Sequence, residues 1–320
     1  MIQAFLLIVI TVFGFAGETH GAEKIRLAIS TVDVGYLSGG VADKQQFFKS
    51  EGLDVEVIRM NASASVAALL NGDIDYTMAF GSVIRSAMRG LPVRVVACLL
   101  DRSSHSLLAR PEFKTVPELR GKTLGVSSFG ATADVVARLM LKHYGVDPEK
   151  QMKIVALGAG SARFAALKEK IVDVVVVSPP ADAEGKNMGF KILVRAQDLF
   201  SFPNVGLGTT IKKINEKPEE VGKVIKALIK ANRFIRENRE GTIRILANWS
   251  RTGFEYAAAS YDSSVGVFNA NGSIPDEGLR LVVDQARKDA KISRDVPLTE
   301  VSDVTILREV QKELGVVNDR

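Results

Sequence analysis

Apolar and polar positions fall into short blocks along most of the chain, alternating between a strand-like and a helix-like period. Residues 25–30 (IRLAIS) read as a strand and 35–49 as a loop and helix; 53–60 (LDVEVIRM) is the next strand, with a helix over 63–70. A strand at 74–80 (IDYTMAF), a helix ending at Met88 and a strand at 93–100 (VRVVACLL) complete this stretch. The pattern then restarts. TLGVSS (123–128) is a strand, a helix runs to His143, MKIVAL (152–157) is a strand, and the helix SARFAALKE (161–169) precedes the strand within VDVVVVSPP (172–180). Strands alternating with helices of this length predict parallel sheets built from βαβ units.

The second stretch repeats the first. AALLNGDID (67–75) and AALKEKIVD (165–173) share Ala-Ala-Leu, an Asp at the same offset and a following strand. The copies lie far further apart than a solenoid period, which predicts two similar α/β lobes. Residues 22–109 form the first lobe and 110–204 the second; 205–320 return to the first lobe and add C-terminal helices. Within that last part, 218–236 place Val221, Val224, Ile225, Leu228, Ile229 and Phe234 near one face, opposite Lys and Arg, as in a helix docked on a lobe. A turn at Asn271-Gly272-Ser273 precedes a helix opened by Pro275 and Asp276.

In open parallel sheets ligands bind beyond the carboxyl ends of the strands. The junctions expected there are STVDVGY (30–36), MNASAS (60–65), AFGS (79–82), VSSFGAT (126–132), GAGS (158–161) and VSPP (177–180), all rich in Ser, Thr, Asn or Gly. A helix start offers unpaired N–H groups at the positive end of its dipole, and nearby hydroxyls add donors. Such a rim holds an anionic or polar small molecule. Taken singly, each Ser or Thr reads as an ordinary N-cap; six similar junctions on one side of two sheets point to a shared cleft. Asp33 and Asp134 weaken the case for an anion, because a carboxylate in a first turn occupies the dipole itself. Phe80, Phe129 and Phe202 beside the junctions suit either an organic ligand body or the core.

Composition narrows the class. With 320 residues, 46% hydrophobic and 25% charged, the chain is ordinary globular protein, and its net charge of +5 is spread without the basic block that nucleic acid requires. The apolar run from Ala4 to Ala16 falls short of the about 20 residues of a membrane span. With Thr19 and Gly21 at the −3 and −1 positions of a cleavage site, residues 1–21 read as a secretory signal peptide, although no Lys or Arg precedes the apolar core. The one cysteine, Cys98, cannot form an intrachain disulfide or take a lipid after the leader, and reads as a small buried hydrophobe. The expected product is an unlipidated, monomeric periplasmic protein. His105 and His143 have no partners at metal-ligand spacing, so no metal is expected. GKT (121–123) lacks the Gly of a phosphate loop and precedes a strand, no nucleophile elbow or dinucleotide fingerprint occurs, and Asp73, Asp75, Glu219 and Glu220 read as solvated. Neither catalysis nor a cofactor is indicated.

Four segments carry a family resemblance, in order: NGDIDYTMAFGS, TVPELRGKTLGVSSFGATADVVARLML, LKEKIVDVVVVSPP and FNANGSIPDEGLRLVVD. From IRLAIS to about Asp303 the chain resembles the periplasmic substrate-binding proteins of ABC transporters in the nitrate/sulfonate/taurine group, the SsuA/THI5-like (NMT1-like) family. The resemblance implies a type II periplasmic-binding-protein fold: two α/β lobes, a hinge with crossovers near Leu108–Pro111 and Pro203–Leu207, and an interlobe ligand cleft. It implies closure on a small molecule and delivery to an ABC permease in the inner membrane. Matching positions give Thr31, Tyr36, Ser63, Gly81, Ser82, Ser128, Gly130, Ala131, Thr132, Ser178 and Asn204 as ligand contacts, with Phe80 and Ser127 in the same junctions. The ligand does not carry over, since relatives bind sulfonates, nitrate and pyrimidines. Two other roles share the fold: a ligand-sensing receptor module, and a pyrimidine-precursor synthase whose iron-linked cysteine cluster cannot exist with a single Cys.

Overall fold

The computed structural model describes residues 24–316, so the leader read at 1–21 lies outside the described residues. The strands are, in chain order, β1 (Lys24–Ile29), β2 (Asp54–Arg59), β3 (Tyr76–Thr77) and β4 (Val93–Leu100), then β5 (Ser106–Ala109), β6 (Thr123–Val126), β7 (Lys153–Ala156), β8 (Val174–Val177) and β9 (Lys191–Arg195), and last β10 (Val205–Thr210). They form two five-stranded sheets of matching order, β2-β1-β3-β10-β4 and β7-β6-β8-β5-β9. In the first, β1 runs parallel to β2 and β3, and β10 lies antiparallel between β3 and β4. In the second, β6 runs parallel to β7 and β8, and β5 lies antiparallel between β8 and β9. Each sheet is thus completed by a strand that arrives from the other.

Helices α1 (Leu37–Lys44) and α2 (Phe47–Ser50) join β1 to β2; α3 (Ala62–Asn71) and α4 (Phe80–Met88) make the next two connections. In the second lobe α5 (Thr132–His143), α6 (Gly160–Lys168) and α7 (Ala181–Asn187) play the same parts. After β10 come α8 (Ile211–Glu216), α9 (Pro218–Glu237), α10 (Arg239–Ser250), α11 (Phe254–Ser264), α12 (Asp276–Ala290), α13 (Leu298–Val301) and α14 (Thr305–Glu313). β4 and β8 are buried almost throughout: β8 is central in its sheet, and β4, at the end of the first sheet, is covered by α4, α9 and α13. α9 packs on α1, α2 and β4 through the predicted face; Val221 to Ile229 on that face are buried, and Phe234 meets the Phe47 ring edge-on at 6.1 Å. Cys98 is buried within β4. Among the described residues no helix is long and apolar enough to cross a membrane.

The crossings between sheets occupy residues 101–105 and 196–204. The first was expected at 108–111, but Ser106–Ala109 is already paired between β8 and β9. The second overlaps the expected segment only at 203–204, because the glycine-rich 205–210 is a strand. Its glycines permit close approach: a Cβ on Gly206 would stand 2.3 Å from the Ala97 carbonyl oxygen and 2.5 Å from the Phe80 ring, and one on Gly208 2.6 Å from Val83.

The repeated Asp has a structural cause. Asp75 Oδ2 accepts the Arg26 N–H at 2.9 Å, and the Asp75 N–H returns a bond to the Arg26 carbonyl at 3.0 Å. Asp173 does the same with Thr123, at 2.8 and 2.9 Å. Each carboxylate also meets a cation that follows the antiparallel strand, Lys213 at 2.7 Å from Asp75 and Arg110 at 2.6 Å from Asp173. Gly72 (φ +82°) and Lys170 (φ +58°), equivalent in the repeat, end their helices in the same left-handed conformation. Asp75 is therefore a clamp on β1 and not a solvated turn residue. Glu220 is likewise engaged, with Lys213 at 3.0 Å and the Tyr76 hydroxyl at 2.8 Å.

Replacing Asp75 or Asp173 with Ala leaves a strand N–H and a cation without their carboxylate, and each should cost about 1–3 kcal/mol of stability in urea unfolding. Glu56→Ala, which breaks the exposed pair with Lys24, should change it by no more than about 0.5 kcal/mol.

Candidate ligand-binding cleft

The carboxyl ends of β1 and β3 in one lobe face those of β6 and β8 in the other, and the lobes touch at two places between them. After β1 and β8, the Ser178 hydroxyl donates to Asp33 Oδ2 at 2.9 Å and the Val34 N–H to the Pro179 carbonyl at 3.4 Å. After β3 and β6, Thr132 Oγ1 lies 3.4 Å from where a Cβ on Gly81 would stand. Gly81 and Thr132 line one small cavity with Arg85, Phe202 and Pro203. β1 corresponds to β6 and β3 to β8, so exchanging the repeats converts one contact into the other. The gap between these two related contacts is the candidate site. Beyond it, Thr252 Oγ1 donates to Glu184 on α7 at 2.6 Å, and Gln197 Nε2 to the Ser263 carbonyl on α11 at 2.6 Å.

The helix starts on the gap differ from ordinary capped ends. α3 is capped, with the Asn61 side chain accepting the Ser63 N–H at 2.9 Å. α4, α5 and α6 instead carry Ala79, Ala131 and Ala159 at the N-cap, without a side-chain cap, and α7 carries Pro180. The junction hydroxyls are therefore not serving as N-caps for these helices. Among the described residues the first-turn N–H groups of Thr132 and Ala133 on α5, and of Gly160 and Ser161 on α6, have no partner. Unpaired donors at the positive ends of α5 and α6 favour a hydrogen-bond acceptor beside them. One donor is lost to Asp134, whose Oδ2 accepts the Gly130 N–H at 2.8 Å while Oδ1 pairs with Arg138 at 2.7 Å.

The sequence-derived candidates separate into groups. Thr31 borders the first contact, its Oγ1 buried beside Asp33. Tyr36 lies beside it near Ser30, with burial pushing its phenol up to about 12. Ser178, Gly81 and Thr132 form the contacts themselves. Gly130 (φ +72°) turns the chain into Ala131 and α5, Ser127 is half-buried, and Ser128 and Phe129 are exposed. Ser82 is buried, accepting from Arg85 Nη2 at 3.1 Å, and Asn204 is buried in the return crossing with its N–H on the Leu100 carbonyl at 3.0 Å. Ser63 is exposed at the start of α3. Phe80 is a different case: its ring is wholly buried against Gly206 and belongs to the core. Phe202 is also buried, edge-on to Phe200 at 6.4 Å.

Two residues at the gap escape a reading of the junctions alone. Arg163, 5% exposed on α6, donates from Nε to the Val176 carbonyl at 2.8 Å and from Nη1 to the Gly158 carbonyl at 2.5 Å. Among the described residues its Nη2 has no hydrogen-bond partner. His105, in the first crossing, shares a 2.8 Å hydrogen bond between Nδ1 and Ser103 Oγ; burial, aided by the Arg163 charge, pushes it down to about 3, so the ring is neutral. Extending the repeat by four residues would have revealed Arg163. Ser63-Ala64-Ser65-Val66 aligns with Ser161-Ala162-Arg163-Phe164, and Arg163 replaces a serine whose Oγ lies 2.9 Å from Thr77 Oγ1. Asp33, opposite, is held above its ordinary value by burial, against the pull of Ser178, Thr31, the Gly35 amide and Arg163. Among the described residues no group of three or more His, Cys, Asp or Glu side chains could hold a metal ion.

A family model described as NMT1/THI5 like matches residues 39–241. The chain belongs to that family. No curated protein matches this NMT1/THI5-like chain. Among solved structures it is similar to the periplasmic nitrate-binding protein NrtA from Synechocystis PCC 6803, with TM-score 0.77 and 16% identity over 93% of this chain and 91% of that one. It is also similar to the periplasmic aliphatic sulphonate binding protein SsuA from Escherichia coli, with TM-score 0.74 and 16% identity over 88% and 93%. The alkanesulfonate-binding protein SsuA from Xanthomonas axonopodis pv. citri, solved with MOPS, gives TM-score 0.70 and 15% identity over 90% and 97%. The NMT1/THI5-like chain thus has the two-lobed type II periplasmic-binding-protein fold.

Two outcomes follow for the unliganded protein. Ser178→Ala combined with Thr252→Val removes two side-chain bonds between the lobes, each worth about 0.5–1.5 kcal/mol, and should raise the radius of gyration in small-angle scattering. Because the fold raises the Asp33 pKa, its contribution to stability falls as pH rises from the ordinary carboxylate range through the raised value. Asp33→Asn should therefore melt at or above the wild-type temperature at neutral pH; a clear drop would mark the carboxylate as purely structural.

Proposed function

We propose that this chain is the extracytoplasmic solute-binding component of an ABC importer, capturing a small organic or anionic solute between its lobes and delivering it to an inner-membrane permease. The supporting observation is the gap itself, where uncapped starts of α5 and α6 and the contacts of α4 with α5 and β1 with β8 converge. A solute bridging both lobes favours the closed arrangement by its differential affinity for that state, with the crossings at 101–105 and 196–204 as hinges. The similar structures, nitrate- and sulfonate-binding proteins of the periplasm, agree with this role. The leader at 1–21 agrees with export, and the protein acts as a periplasmic monomer. A synthase reading gains no support from Cys98, which is buried in β4 with its thiol pushed far up by burial.

The test is thermal melting with a panel of nitrate, alkanesulfonates, amino acids and aminopyrimidines. A true solute at about a hundred times its Kd should stabilise the protein by about 2.7 kcal/mol. Ser128→Leu with Thr132→Leu should abolish that shift while leaving the unliganded melt nearly unchanged. A double variant that keeps the full shift would remove this gap from consideration.

A further inference from the structure

The two repeats differ in charge where they face each other, and that difference reads out the solute's chemistry. At the α3/α6 position, lobe 1 has Ser65 and a side-chain cap from Asn61, whereas lobe 2 has Arg163 and the uncapped Ala159. With Arg26 aligned to Thr123 by their shared Asp bonds, Asp33 of lobe 1 falls opposite Gly130 of lobe 2 in the repeat. Lobe 1 therefore presents a carboxylate to the gap and lobe 2 a guanidinium with open helix starts.

These charges are adjacent without being paired. Arg163 Nε is bonded to the carbonyl of Val176, and Ser178, two residues on, donates to Asp33. Yet Asp33 has only neutral hydrogen-bonding neighbours, Ser178 Oγ, the Gly35 N–H and the Thr31 side chain, and Arg163 has only backbone carbonyls. Other buried carboxylates in this region are neutralised, Asp134 by Arg138 and Asp182 by Arg195. A carboxylate retains acceptor sites beyond these hydrogen bonds, and Arg163 retains Nη2. Two opposite charges buried without a direct ion pair are costly unless something completes their hydrogen bonds.

Resting on the receptor reading above, we infer that the solute is dipolar: an anionic, acceptor-rich head held by Arg163 and the starts of α5 and α6, and an ammonium or other donor held by Asp33. Plain oxyanions satisfy only the lobe 2 half and place a negative charge beside Asp33. Asp33 and Arg163 are thus the specificity-determining pair, one from each lobe.

The experiment is calorimetric titration of the wild-type protein with matched probes: 3-aminopropanesulfonate against propanesulfonate, 3-aminopropanoate against propanoate, and nitrate. The amino member of at least one pair should bind more tightly than its partner by about tenfold or more, with nitrate weakest. Asp33→Asn should erase that ratio while retaining the binding of the anion-only member, and Arg163→Gln should weaken both members. Equal or tighter binding of propanesulfonate, propanoate or nitrate overturns the inference, as does a ratio that Asp33→Asn leaves intact. Failure of every probe also overturns it. Stabilisation by another compound in the thermal panel would then leave the receptor reading standing on its own.

Discussion

A strand that enters one sheet only after the chain has left the other is the constraint from which the cleft follows. β5 and β10 each fill the antiparallel slot of their sheet. Their arrival fixes the two crossings and leaves the carboxyl ends of both parallel sets facing one another. At the opposite, amino ends, Asp75 and Asp173 clamp the first strand of each lobe and meet Lys213 and Arg110, which the exchanged strands deliver. Each lobe is thereby stiffened away from the gap, and relative motion is left to the short segments between the sheets.

Within the gap the same fold is used asymmetrically. Backbone donors at helix starts are a generic feature, and by themselves suit any acceptor. What differs between the lobes is side-chain chemistry at equivalent positions: Ser65 against Arg163, Asn61 against Ala159, Asp33 against Gly130. The neutral His105 adds hydrogen-bonding capacity without adding charge. Under the proposed role, binding strength would come largely from the backbone and selectivity from a few substitutions.

Much of this architecture was legible in the sequence, because strand and helix periods are local and the Ala-Ala-Leu…Asp repeat marks one bonded unit copied twice. The misplaced crossings have a physical origin. The reason Gly206 and Gly208 stand in a strand is supplied by Phe80 and Val83 on α4, distant in sequence. Phe80 itself looks like a rim aromatic until that same contact buries it. Polar junctions were visible, but whether Ser or Thr caps a helix depends on which residue reaches the N-cap, and at three starts that residue is Ala. Arg163 resembles any cation on an amphipathic helix; only the carbonyls of Gly158 and Val176 draw it inward.

Because the two interlobe contacts interconvert when the repeats are exchanged, a guest between them would meet two halves of related structure. Identical halves would hold an asymmetric guest equally well in either of two orientations. Any preference for one end of a molecule over the other must come from positions where the duplicate copies have drifted apart. Laying one half of the chain over the other, and looking for mismatched charge beside conserved geometry, is then a way to find orientation-setting residues in duplicated receptors of this architecture.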